Sequence, residues 1–104
     1  MNPLEGLTRD YRTAFLRYLS RREEAALTIG YELGRGSVTS GVSILDLARV
    51  HHQILIEALQ DTRTDDVAQV ATGASEFLLE VLAPYDMAQR GLLSRPSSGS
   101  TQSP

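Results

Sequence analysis

The 104 residues predict an all-α chain arranged as an up-down four-helix bundle. Three observations carry this. Apolar residues recur every three or four positions in four successive segments. Each segment opens on a residue suited to a helix N-cap, and only a few residues separate one segment from the next. No stretch alternates apolar and polar residues with the period of a strand.

The first helix is expected to open at "NPLE". Asn2 suits the N-cap, Pro3 the first helical position, and Glu5 the third, where it can complete a capping box. Leu4, Leu7, Tyr11, Ala14, Phe15 and Tyr18 follow at helical spacing as an inner stripe, with Arg9, Arg12, Thr13 and Arg17 opposite. "SRRE" is expected to open the second helix, with Ser20 as cap and Glu23 as its reciprocal partner. The inner stripe there is Ala26, Ile29, Gly30, Leu33 and Ser37. Ala26, Gly30 and Gly34 lie four apart and make one smooth strip. A glycine inside a helix costs about 1 kcal/mol relative to alanine. The strip therefore implies a neighbouring helix at close approach; a hinge or a partner surface is the other reading.

Gly41 can take the left-handed conformation that ends the second helix. Ser43 and Asp46 form the next capping pair, with Val42 and Leu47 placed for a hydrophobic staple. Ile44, Leu47, Ala48, His51, Ile54, Leu55 and Ala58 make the third inner stripe. After the turn "DTRTDD", Thr64 is the expected cap of the fourth helix, and Asp65 and Asp66 favour its positive end. Its stripe is Val67, Val70, Ala74, Phe77, Leu78, Val81, Tyr85 and Ala88, and it crosses Pro84 with no change of phase. Pro84 has no N–H, so the carbonyl of Glu80 loses its usual donor. This predicts a kink near Pro84 rather than the end of the helix, which should come at about Gly91. Residues 1–93 form the expected helical domain, and the Ser/Pro-rich stretch 94–104 an expected disordered tail.

Composition narrows the function. The length fits one domain, with 41% hydrophobic residues and no cysteine, so disulfide and thiol chemistry are excluded. No apolar run approaches the roughly 18 residues of a membrane span, and "MNPLEGLTRD" lacks the pattern of a signal peptide. The expected location is the cytoplasm, with no membrane partner. A net charge of −3 argues against nucleic acid as the partner. No cofactor is expected. His51 and His52 are adjacent, so on a helix they point about 100° apart and do not readily share a metal. His51 lies on the inner stripe, as a hydrogen-bonded core histidine would, and His52 faces solvent. As a nucleophile, His52 would make the chain a phosphotransfer bundle. Bulky Ile56 then stands one turn on, where a small residue would admit the partner. Neither a phosphate loop nor a nucleophile elbow is present.

Some apolar residues lie off the inner stripes. Leu79, Ala83 and Met87 are spaced four apart on the fourth helix, and Leu45 and Ile56 are similarly displaced on the third. Single exposed apolar residues are ordinary; a row on one helix can mark an interface.

"VHHQILIEAL" and "FLLEVLAPYDMAQRG" resemble the third and fourth helices of the RsbU N-terminal domain family, and the spacing of Tyr11, Tyr18, Leu27 and Arg35 resembles its first two. The resemblance covers about residues 7 to 91. It implies a dimeric, non-catalytic helical domain that receives a switch protein of the RsbT type, related to anti-sigma-factor serine kinases, and so regulates a PP2C-type phosphatase of the stress response. Carried over by position, Leu79 and Ala83 fall on the partner surface, with Thr28 as its part on the second helix and Met87 as a neighbour. The sequence departs from the family pattern at Thr28, small and polar where an aromatic can stand, and at Ala83, small where a larger aliphatic is expected. Pro84 and Asp86 replace small flexible residues. No phosphatase segment lies within these residues, so the chain is expected to be a regulatory module, alone or as part of a longer protein. The alternative readings are the phosphotransfer bundle and a structural or scaffolding helical dimer.

Overall fold

The computed structural model describes residues 3–91. Asn2, the domain boundary at 93 and the tail from 94 lie outside the described residues. Four helices follow one another: α1 (Pro3–Arg21), α2 (Glu24–Ser40), α3 (Ile44–Gln60) and α4 (Val67–Gln89), with a short 3-10 turn (Thr64–Asp66) before α4. Short turns join these helices, and there is no strand among the described residues.

The core is an aromatic cluster contributed mainly by α1 and α4. Tyr11, Phe15 and Phe77 are fully buried. Their rings meet edge-on or tilted, with centroids 5.2 Å apart for Tyr11–Phe77 and 5.3 Å for Phe15–Phe77. Such arrangements bring the positive ring edge of one partner toward the negative face of another. Leu47, Val50 and Ile54 from α3, Ala26 from α2, and Ala74 and Val81 from α4 close the core.

The most extensive helix–helix contact joins α2 to α4. The small-residue strip explains it. A Cβ placed on Gly30 would lie 2.9 Å from Cε1 of Phe77, and one placed on Gly34 would run into the carbonyl oxygen of Val81. The strip is a close-packing surface for another helix of the same chain. Around the bundle, α1 packs on α2, α3 and α4, and α3 packs on α1 and α4. Among the described residues, α2 and α3 do not pack on each other although only three residues join them.

The helix ends show which local signals held. Gly41 has φ 77°, its N–H donates to Val38 and that of Val42 donates to Ser37, which is the Schellman pattern. The Ser43 hydroxyl accepts from the N–H of Leu45 at 3.0 Å and caps α3. The Asp46 carboxylate accepts from Arg49 at 3.3 Å. Gly91, with φ 78°, follows the last turn of α4 as expected.

Ser20 is not a cap. It lies inside α1, and its hydroxyl donates to the carbonyl of Arg17 at 3.2 Å. α1 ends instead at Arg22, which takes the left-handed φ of 54°. That conformation is uncommon for a residue with a Cβ. Side-chain contacts on α4 hold it: Nη2 donates to the carbonyl of Gln69 at 2.8 Å and Nη1 to Glu76 at 3.0 Å. Glu23 is the N-cap residue of α2 without a side-chain cap bond; its carboxylate accepts from Arg17. Thr64 likewise begins the 3-10 turn rather than capping α4.

The inner stripes need adjustment at five positions. Ile29, Ile44 and Val67 are 39%, 50% and 41% exposed, and Ala48 is also exposed. Val50, which the periodicity left out, is buried. On α3 the buried arc is Leu47, Val50, His51 and Ile54, rotated from the expected one because no α2 surface lies beside the start of α3 to cover Ile44. α4 runs unbroken through Pro84, which is fully buried.

Candidate partner-docking face

α4 carries two surfaces. Its inner side is Gly73, Ala74, Phe77, Val81, Pro84 and Ala88, all buried. Its outer side carries Leu79, which at 67% is the most exposed of the large hydrophobic residues among those described. Ala83, one turn on, and Met87, two turns on, are half-buried. The three lie on one stripe because their spacing of four nearly matches the helical repeat. An exposed leucine alone says little. One that heads a row on the outer side of a helix already packed on its inner side is a surface with apolar area to spare.

Thr28 is exposed on α2, and its hydroxyl donates back to the carbonyl of Glu24 at 3.3 Å. The link between Thr28 and the α4 row runs through Tyr31, one turn further along α2. Tyr31 is half-buried, and its hydroxyl donates to Sδ of Met87 at 3.6 Å. Met87 and α2 are thus brought together. Leu79 and Thr28 remain on separate helices with no bond between them. Tyr31 is not among the positions expected from the sequence. The available signal was an aromatic three residues after a candidate position, hence on the same helix face.

The far end of α4 is tied to the turn between α2 and α3. The Tyr85 hydroxyl donates to the carbonyl of Val42 at 2.9 Å. Burial raises the Tyr85 phenol above its ordinary range, which keeps it a neutral donor.

The histidines part as expected. His51 is buried, with Nδ1 2.8 Å from the Tyr11 hydroxyl. Burial, with a smaller effect from neighbouring His52, pushes the imidazole below its ordinary range, so it stays neutral. Burial also raises the Tyr11 phenol. With Nδ1 unprotonated, the Tyr11 hydroxyl donates to it. His52 is exposed on the outer face of α3, beside the partly exposed Ile56. Among the described residues, no three or more His, Asp or Glu side chains are grouped to hold a metal.

Two further links fix α1 to its neighbours. Arg12 donates through Nε and Nη2 to both carboxylate oxygens of Glu57 at 3.0 Å each, a two-pronged clamp on α3. The guanidinium holds Glu57 below the usual carboxylate range. Tyr18 donates to Glu76 of α4 at 2.8 Å, beside the contact from Arg22.

A family model described as phosphoserine phosphatase RsbU, N-terminal domain, matches residues 9–88. The chain belongs to the RsbU N-terminal domain family. In that family this is the non-catalytic, regulatory part of a stress-response phosphatase. The match takes in part or all of each of the four helices and includes Thr28, Leu79, Ala83 and Met87. No curated protein and no solved structure matches the chain. No helix among the described residues is long and apolar enough to cross a membrane.

Proposed function

We propose that the chain is a dimeric, non-catalytic signalling module of the cytoplasm. It docks a switch protein of the anti-sigma-factor serine-kinase type, and docking regulates a phosphatase or sigma-factor pathway. The partner seats on the outer face of α4, with Thr28 and Tyr31 of α2 at its edge. The observation that carries the reading is Leu79, 67% exposed at the head of the Leu79–Ala83–Met87 row, within a chain of this family.

The energetics fit an anchor residue. Burying a leucine side chain fully contributes about 1.5–3 kcal/mol, and a few such residues dominate most interfaces. Ala83 offers little area of its own, but its small side chain lets a partner approach the α4 backbone. Tyr31 supplies the aromatic that Thr28 does not, one turn along the same face. The hydroxyl of Tyr85 holds the last turns of α4 against Val42.

The test is a calorimetric titration with a purified RsbT-type serine kinase. Saturable binding is expected for the wild type. Leu79→Asp should weaken it by about 30-fold or more while unfolding at the same denaturant concentration as the wild type. Equal binding by the folded variant would remove Leu79 from the contact. Light scattering of the chain alone tests the dimer, since a monomer's mass would separate this chain from that part of the reading.

A further inference from the structure

We propose that the protein docking on the α4 face presents an apolar pocket ringed by lysine and arginine. This rests on the docking reading above and names the chemistry of its partner. Across its 23 residues α4 carries Glu76, Glu80 and Asp86 and no basic residue. These acids border the apolar row. Glu76 stands three residues before Leu79, Glu80 three before Ala83, and Asp86 three after Ala83, each within one turn on the helix surface. On α2, exposed Glu24 lies one turn before Thr28.

The chain's charge of −3 is unevenly distributed. α4 carries a net −3 and α2 a net −1, whereas α1, with Arg9, Arg12, Arg17 and Arg21 against Glu5 and Asp10, carries +2. Cations do reach the α4 acids. Arg22 binds Glu76, and Arg90 lies 3.1 Å from Asp86. The Arg90–Asp86 pair is well exposed, at 68% and 61%, so a competing cation can replace it at small cost. Glu80 is half-buried beside the row and has no ion pair with a described basic residue. Arg35 is the single basic residue of α2, two turns past Thr28.

Rim charges of this kind act on encounter and partner choice more than on the apolar contact itself. An acidic rim repels an acidic competitor and draws in a basic one, with an effect that salt screens. The same sign disfavours anionic lipid and nucleic acid at this face.

The experiment uses two synthetic helical peptides that share one leucine face. One carries lysine at the flanking positions and the other glutamate. Each is titrated into the isotope-labelled full chain, and amide shifts are followed. The lysine peptide should bind about tenfold more tightly in dilute buffer, moving the signals of Leu79, Ala83 and Met87. That advantage should shrink between about 0.05 M and about 0.5 M salt. Asp86→Lys should cut the preference, and Glu80→Gln should do so without adding a charge, which keeps the test sound if the lysine variant folds poorly. Equal binding of both peptides at this face overturns the charge rule and leaves the docking reading standing. Lysine-peptide shifts confined to another face, or no binding of either peptide at α4, overturn both.

Discussion

Gly34 gives the sharpest test of how the helices meet. In Gly34→Ala the new Cβ would fall on the carbonyl oxygen of Val81, with the carbonyl carbon 2.9 Å away. The obstacle is backbone, so no side-chain rotation relieves it and α2 must move off α4. Gly36, two residues on in the same helix, has nothing within 4 Å of such a Cβ among the described residues. Replacing a helical glycine by alanine gains about 1 kcal/mol in either position. At Gly36 that gain should appear in full. At Gly34 it should be offset by an overpacking cost of about 1–3 kcal/mol or more. The propensity term cancels between the two variants, so their stabilities should differ by that cost. For a domain of this size, each 1 kcal/mol moves Tm by about 4–8 °C. Urea denaturation of the two variants beside the wild type measures it, with Gly36→Ala above and Gly34→Ala below. If Gly34→Ala were as stable as Gly36→Ala, the close contact of α2 with α4 would be wrong.

Three other outcomes follow from named contacts. His51 is held neutral below its ordinary value of 6.5, so the unfolded chain binds the proton more readily. Its contribution is intact above that value and is lost as pH falls through the lower folded-state value; denaturation between about pH 7.5 and about pH 5 should show the loss. His51→Gln should flatten it, because glutamine accepts from Tyr11 without taking a charge. Tyr85→Phe removes the bond to Val42 and should cost about 1 kcal/mol by the same denaturation assay. Leu79→Asp should shift stability by no more than about 0.5 kcal/mol, since its side chain lies mostly in solvent.

Much of this was legible in the sequence. The four helices, the glycine ends at Gly41 and Gly91, the Ser43 cap and the burial of His51 followed from local rules. The glycine strip announced a close neighbour, but not that the neighbour is α4, because helix spacing carries no information about which faces meet. That omission explains Ile44, Ala48 and Val50. The buried arc of α3 is set by α1 and α4 alone, so an arc drawn for a helix enclosed on more sides was rotated. Ser20 failed because α1 ends on a left-handed Arg22, held by contacts to Gln69 and Glu76 that lie far along the chain. At the proposed docking face, the exposure of Leu79 followed from its phase. The role of Tyr31 did not, because its hydroxyl meets Met87 only after α2 and α4 are packed.

The most direct test of the docking account maps an RsbT-type serine kinase onto the isotope-labelled chain by amide shift changes. Thr28, Tyr31, Leu79, Ala83 and Met87 should move, and Leu45, His52 and Ile56 on the outer face of α3 should stay in place. Shifts centred on α3, with the α4 row unmoved, would contradict it.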